Sequence, residues 1–470
     1  MCRRRLLKPS PASSGNSPEP ACKSKGTDRM ILGIDLGTTK TAAVLYDPAT
    51  PAESRAESAV HHAALPAAPG RAEQDMETLV ESVRKLLNRF SVAKLAGVEA
   101  VGLTGQMHSI LLRNETECSP VITWQDRRAS EAGELKLLQT ASGLPLADGF
   151  GGTTLGFLRR SGELARWRHA ATPAGFLAMR LTGKSRAGID PSFAASWGIY
   201  DRTSSGWNRA ALAALGIPEQ LLPAPCPFGT LVGRTAGFAP LPDGIPVFTP
   251  LGDNQASIAG SSEDPEREVF VTIGTGAQLS IVLTAAEAAA APAAPGVELR
   301  PYPGNRLLAV TAPLCGGRAW SWLGKSVNGF LSALGLPLFP ENELLDRLDV
   351  LASEAAPESG IRVAPSFLGE RSTPERRGSI GGITLDNFTL PNLAAALADG
   401  IVRQLAEPMP PELLRSRRRI AGSGNALRLC ASLRARLEEQ LELPLEIRET
   451  KEEAAAGAAK YAHSCLKSKP

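Results

Sequence analysis

The sequence predicts an α/β protein built twice over, its two halves facing each other. Two stretches carry that expectation. Residues 31–47, ILGIDLGTTKTAAVLYD, set the apolar runs Ile31–Leu36 and Thr41–Tyr46 around a Gly-Thr-Thr-Lys turn, the pattern of a β-hairpin. Residues 268–283, EVFVTIGTGAQLSIVL, repeat strand, turn and strand with Gly274, Thr275 and Gly276 at the bend. In the first copy an acid, Asp35, ends the strand where an ordinary hairpin takes an apolar residue. Gly37 lets the backbone approach a ligand closely, and Thr38 and Thr39 add hydroxyls and amides. This is the chemistry of a phosphate cradle with a carboxylate placed to hold a hydrated magnesium ion. One such loop alone is an ordinary glycine turn. Two, each opening a half of the chain, point to nucleotide phosphates held between the halves.

The totals agree with a soluble two-domain protein. At 470 residues there is room for two to four domains of roughly 100–200 residues each. Apolar residues make up 43% and charged residues 21%. No apolar run reaches the ~18 residues of a membrane span, so no membrane association is expected. Residues 1–29 carry a net +5 and are rich in Pro and Ser; they read as a disordered basic tail without a signal-peptide apolar core. The remainder carries a net −2, which excludes a nucleic-acid binder by charge. Seven scattered cysteines with no Cys-x-x-Cys pair argue against a zinc site or disulfide framework and for a reducing compartment, the cytoplasm. His61 and His62 read as part of a polar edge.

In chain order, Ala72–Phe90 has apolar residues at helical spacing, and Val98–Leu103 is a buried strand running into Gly105-Gln106-Met107-His108. Short strands follow at Ser109–Arg113 and Val121–Trp124, the second ending in Gln125-Asp126-Arg127-Arg128. Helical patterns occupy 129–139, 153–168 and 173–181. Residues 178–185 fit a relaxed phosphate-loop pattern, but the segment ends a helix instead of opening one, and Gly183 stands where a C-cap belongs. Ile245–Leu251 is a strand, and Gly252-Asp253-Asn254 leads into a small-residue helix, Gln255–Gly260, that bridges the halves.

After the second hairpin, Ala285–Pro295 is a surface loop or short helix. Helices follow at Arg318–Leu334, Glu341–Leu351 and Asn392–Glu407, with a charged irregular loop at Pro365–Arg377. The Gly-rich turn Gly422-Ser423-Gly424-Asn425 enters the helix Leu427–Leu441, and Thr450–Ser464 is a last, Ala-rich helix.

These pieces together resemble the FGGY carbohydrate kinases, of the actin/hexokinase (ribonuclease H-like) superfamily. The likeness spans residues 30–463 with the motifs in the family's order. DLGTT, IGTG and GSGN are individually weak; with GQMH and GDN they form a specific set. GQMH looks like the ketose-kinase branch. TWQDRR (123–128), AASWGIYD (194–201), GDNQAS (252–257) and FLGER (367–371) are similar to sedoheptulokinases before xylulokinases, which usually show Ser-Gly where Leu368-Gly369 stands.

The resemblance implies a duplicated two-domain fold closing over a cleft, with a sugar-binding half (30–261) and a nucleotide-binding half (262–470). It implies ATP and Mg²⁺ as cofactors, a small-molecule ketose as acceptor, and a monomer or homodimer. Asp253, which by itself reads first as a plain helix N-cap, becomes the general base. Asp35 holds magnesium through water. Gly37, Thr38, Thr39, Gly274, Thr275 and Gly276 hold phosphates; Gly422, Ser423, Gly424 and Asn425 hold adenosine. Gln106, Met107, His108, Trp124, Asp126 and Arg127 contact the sugar, with Asn254 orienting the reacting hydroxyl. Around that pocket, Gly151–Thr154 and Ser192–Trp197 set the sugar length. Lys40 points to phosphate or to solvent, and Glu370 and Arg371 form an ion pair in the interdomain loop. A non-sugar ATPase of the actin or heat-shock kind is the alternative that shares the hairpins and needs neither GQMH nor TWQDRR.

Overall fold

The computed structural model describes residues 29–290, 294–355, 359–370, 373, 375–448 and 452–467. The expectations for the basic segment before Arg29, for Arg371 and for a helix start at Thr450 lie outside the described residues.

In the first half, β1 (Met30–Leu36) and β2 (Lys40–Tyr46) form the expected antiparallel hairpin, and β3 (Arg55–Val60) adds to the outer side of β2. Asp75 caps α1 (Met76–Leu87) by accepting the Thr78 amide. Leu79, Val80, Val83, Leu86 and Leu87 on one face of α1 are buried, each contributing roughly 1.5–3 kcal/mol to the core. β4 (Val98–Gly105) then returns parallel to β1. α2 (Pro173–Thr182) ends at Gly183 in the left-handed conformation, the C-cap that rules out a phosphate loop there. β5 (Leu231–Arg234), β6 (Pro246–Phe248) and the short β7 (Leu251–Gly252) complete a sheet of order β5-β6-β4-β1-β2-β3, with β7 also pairing β4. α3 (Asp253–Ser261) leads out of it.

The second half repeats the plan. β8 (Glu268–Ile273) and β9 (Ala277–Leu283) are the hairpin, followed by β10 (Glu298–Tyr302), β11 (Arg306–Thr311), α4 (Gly317–Ala333) and α5 (Leu390–Ala406). β12 (Arg419–Ser423) pairs parallel with β8, β13 (Leu445–Ile447) lies beyond it, and the sheet order is β10-β11-β9-β8-β12-β13. In both sheets a hairpin carries an antiparallel strand on one flank and a parallel strand on the other. That shared plan is the duplicated ribonuclease H-like architecture.

The last helix, α6 (Glu453–Lys467), crosses back from the second half to the first. Its Ala455, Ala458, Ala459 and Ala462 are fully buried, with Ala455 and Ala459 against β1 and Ala458 and Ala462 against β4. A Cβ on Gly457 would come within 1.8 Å of the Ala256 carbonyl oxygen, so α6 and α3 touch backbone to backbone. A division at 261/262 is therefore incomplete, because the chain's end belongs to the first half's sheet.

Three patterns read as continuous are broken. Residues 129–139 and 153–168 are interrupted by turns at Gly133 and Gly162, and 245–251 is two short strands instead of one. Among the described residues no helix is long and apolar enough to cross a membrane.

Candidate active site

Strand register brings the acids together. Across β4, Asp35 lies beside Thr104 from one side and Leu251 from the other, while Gly252 lies beside Gly105. Asp35 and Asp253 thus emerge at the carboxyl ends of the two strands that flank β4, where open parallel sheets place their ligands. Asp253 opens α3; its Oδ1 accepts the Asn254 amide at 2.7 Å and its Oδ2 the Met107 amide at 3.4 Å. Burial raises its pKa, opposed by those two amides and by the positive charge of Arg300.

Asp35 is raised to about 7, by burial first, then by the charges of Asp253 and Glu452, with Lys40 opposing. Its Oδ1 is buried with no hydrogen-bond partner among the described residues. A buried, unpartnered carboxylate oxygen that also feels the charge of a second acid fits a divalent cation. Among the described residues no group of three or more His, Cys, Asp and Glu forms a cage. A single carboxylate reached through water suits Mg²⁺, which keeps most of its water.

The first turn is backed by a residue misread in the sequence. His61 is buried, not part of a polar edge, and its Nε2 donates to the Gly37 carbonyl at 3.0 Å. Thr38 receives the Trp124 indole Nε1 on its hydroxyl at 2.8 Å and Gln74 Nε2 on its carbonyl at 2.6 Å. Lys40 pairs with Glu452 at 2.7 Å, and its charge also reaches Asp35.

The second turn rests on a helix N-terminus. The Gly274 carbonyl accepts the Gly317 amide at 2.8 Å, and the Thr275 carbonyl accepts the Gly316 and Arg318 amides at 3.2 Å. The positive end of α4 thus lies under the loop, a place that favours anions. Arg318 lines the same cavity. Sequence reasoning missed Arg318 because it reads as one more polar residue at a helix start.

A cavity of 550 Å³ brings Trp124 and Arg127 of the first half together with Gly274, Thr275, Gly276 and Arg318 of the second. It shares Ala312, Pro313, Leu314 and Glu370 with a larger cavity of 1060 Å³ lined by His108, Phe150, Ser196 and Arg300. The two form one cleft between the halves.

His108 is held with unusual care. Its backbone takes a left-handed φ of 69°, a conformation that costs a side-chain-bearing residue of order 1–3 kcal/mol and concentrates at functional sites. Its amide donates to Ser196 Oγ at 3.0 Å, and its Nδ1 donates to the Ser196 carbonyl at 2.6 Å. A carbonyl can only accept, so Nδ1 carries a hydrogen. The ring stacks on Phe150 at 4.6 Å.

Other expected contacts are redirected. Gln106 is buried in a polar chain with Gln74 and Ser109. The Met107 side chain is part of the core, and only its amide reaches Asp253. Asp126 is buried; it accepts Arg128 Nε at 2.7 Å and the Ala72 amide at 2.9 Å, so its charge is satisfied inside the protein. Arg127, by contrast, is exposed to the cleft. Asn254 faces Ser280 on β9 at 3.4 Å and so links α3 to the other half. Gly422 is enclosed by Leu445, Leu427 and Ile447 within the sheet, which leaves Ser423, Gly424 and Asn425 at the surface of that turn. Gly151–Thr154 packs behind the cleft wall on Trp197 and Ile199, and Phe150, Ala195 and Ser196 form the wall itself. Glu370 pairs with Arg376 at 3.1 Å. The sequence also hid Arg300, since an arginine between Leu299 and Pro301 on a strand carries no motif. Its guanidinium, nearly buried, is held by Glu298 at 2.6 Å.

Residues 30–260 match the FGGY family of carbohydrate kinases, N-terminal domain. The chain is 30% identical over 467 residues to a sedoheptulokinase of Homo sapiens, covering 92% of this chain and 96% of that one. The chain belongs to the FGGY family of carbohydrate kinases. A glycerol kinase of Methylobacterium nodulans is 29% identical over 474 residues, covering 92% of this chain and 88% of its own. In fold, the chain is similar to xylulose kinase from Lactobacillus acidophilus, with a TM-score of 0.76, 19% identity and coverage of 93% and 89%. Membership makes the protein a sugar phosphotransferase using ATP and sets aside the actin- or heat-shock-like ATPase.

Proposed function

We propose that this kinase transfers the γ-phosphoryl group of ATP to a primary hydroxyl of a ketose, converting sedoheptulose to sedoheptulose 7-phosphate. The observation that carries the reading is the end-to-end likeness to human sedoheptulokinase, with 92% of one chain on 96% of the other. A xylulokinase-like activity on a pentulose is the second reading, favoured by Gly105-Gln106-Met107-His108 and by fold likeness to xylulose kinases.

Asp253 removes the proton from the reacting hydroxyl as the phosphorus–oxygen bond forms, and Asn254 keeps α3 against the other half during transfer. His108 Nε2 accepts from a sugar hydroxyl, Trp124 gives the sugar an apolar face, and Arg127 supplies charge-assisted donors. Thr38, Thr39, Gly37 and Gly274–Gly276 donate to phosphate oxygens, and Ser423, Gly424 and Asn425 flank adenosine. Asp35 would hold Mg²⁺ through water, which offsets charge on the phosphates. Closure of the halves excludes water, the competing acceptor. A monomer or homodimer working in the cytoplasm completes the reading.

The test is a panel of sedoheptulose, xylulose, ribulose and glycerol in a coupled assay for ADP. Highest kcat/KM on sedoheptulose, with one sugar phosphate per ADP, supports it. A clear preference for a pentulose or for glycerol overturns the seven-carbon assignment.

A further inference from the structure

Five hydrogen bonds close a circuit around the first phosphate turn. The Trp124 amide donates to Ser109 Oγ at 3.1 Å, and Ser109 Oγ donates to Gln106 Oε1 at 2.9 Å. Gln106 Nε2 donates to Gln74 Oε1 at 2.8 Å, and Gln74 Nε2 donates to the Thr38 carbonyl at 2.6 Å. The Trp124 indole then returns to Thr38, donating to Oγ1 at 2.8 Å. Gln74, Gln106 and Ser109 are buried.

The direction of this circuit is fixed at both ends by main-chain groups of unambiguous polarity. A backbone amide can only donate and a backbone carbonyl can only accept, so both side-chain amides have one allowed orientation. Flipping Gln74 would oppose carbonyl to carbonyl at Thr38 and amino to amino at Gln106. The indole of Trp124 is a donor only, so the Thr38 hydroxyl accepts there and must send its own hydrogen elsewhere. In the proposed reading that direction is the phosphate side of the turn.

We propose that Gln74 is a positioning residue that couples sugar binding to phosphate binding. It touches neither substrate. Beside the direct indole bond to the Thr38 hydroxyl, it ties the Trp124 main chain, through Ser109 and Gln106, to the Thr38 carbonyl, so that a shift of Trp124 on a ketose is passed to the main chain of the phosphate turn. Removing Gln74 leaves Gln106 Nε2 and the Thr38 carbonyl without this partner, and a broken buried network costs more than any one of its bonds. The proposal rests on the reading of Trp124 and Thr38 given above.

The experiment measures binding of a non-hydrolysable ATP analogue by calorimetry, with and without saturating sedoheptulose, beside steady-state kinetics. The wild-type enzyme is expected to bind the analogue about tenfold more tightly with sugar present. Gln74→Leu should reduce that coupling to within twofold and lower kcat about tenfold or more, with each ligand's separate affinity within about threefold. Gln74→Glu guards against misfolding of the apolar variant. Its carboxyl accepts from Gln106 but donates to Thr38 only when protonated, so its kcat relative to wild type should rise as pH falls from 8 to 6. Full coupling in Gln74→Leu, no coupling in the wild-type enzyme, or a flat relative pH profile for Gln74→Glu would each overturn the proposal. A wild-type enzyme that phosphorylates no ketose contradicts the functional reading instead, and the two failures are distinct.

Discussion

Asp35 and Asp253 flank a single strand, and the charge of Asp253 helps hold Asp35 in its acid form with a pKa of about 7. Such mutual repulsion makes sense where a cation is to be received. It also makes the ligand-free protein's stability depend on pH. Asp35, raised above its ordinary 3.8, keeps in the folded state a proton that the unfolded chain releases. Its contribution is full below about pH 4 and is lost as pH rises toward and through 7. Asp190, raised by burial to about 7, adds a slope of the same sign. Asp35→Asn should therefore flatten part of the fall in Tm between pH 5 and 8 in magnesium-free buffer. MgCl₂ should raise the wild-type Tm at pH 8, and Asp35→Asn should abolish that gain. Thermal-shift curves that run parallel for the two proteins, with and without magnesium, contradict the cation assignment.

Arg300 opposes the burial that raises Asp253. A base works ionised, so removing this cation should push the acidic limb of the kcat/KM profile to higher pH. Arg300→Met is the variant to profile, and an unmoved acidic limb refutes the electrostatic role.

His108 pays for its left-handed backbone through Ser196 and Phe150, and its ring is presented to the larger cavity. His108→Ala should raise KM for the ketose about tenfold, the scale of one good hydrogen bond, and leave KM for ATP within about twofold. Equal changes in both constants would show that the ring serves the fold instead of the sugar.

Lys40, a residue the motif alone leaves ambiguous, is paired with Glu452. Exposed pairs of this kind are worth about 0–1 kcal/mol. Lys40→Ala should leave KM for ATP and kcat within about threefold in steady-state assays, and a hundredfold loss would return the lysine to the phosphates.

What the sequence disclosed follows from how locally each feature is encoded. Both hairpins and the strand before Gln106 depend on short-range periodicity and turn chemistry and stand where expected, while α1 opens at Met76 and not at Ala72, because Asp75 caps it and Glu73–Gln74 pair as a strand. β3, β10 and β13 are edge strands whose pattern competes with polar neighbours, and they were not legible; β11, buried between β10 and β9, was not legible either. Arg128, rather than the cleft, takes Asp126 because a buried carboxylate selects the partner that can be buried with it. That choice depends on packing, as does the direction of Gln106 toward Gln74, thirty-two residues upstream. His61 was hidden because nothing near it in the chain reveals that the turn it supports is twenty-four residues away.

In the proposed mechanism Asp253, at the start of α3, takes the proton of the attacking hydroxyl. Single-turnover phosphoryl transfer from γ-labelled ATP to sedoheptulose by Asp253→Asn measures it most directly. The account predicts a loss on the order of 10²-fold or more in the transfer rate, with affinity for the ATP analogue within about threefold of wild type. Transfer at a rate within threefold of wild type would contradict it.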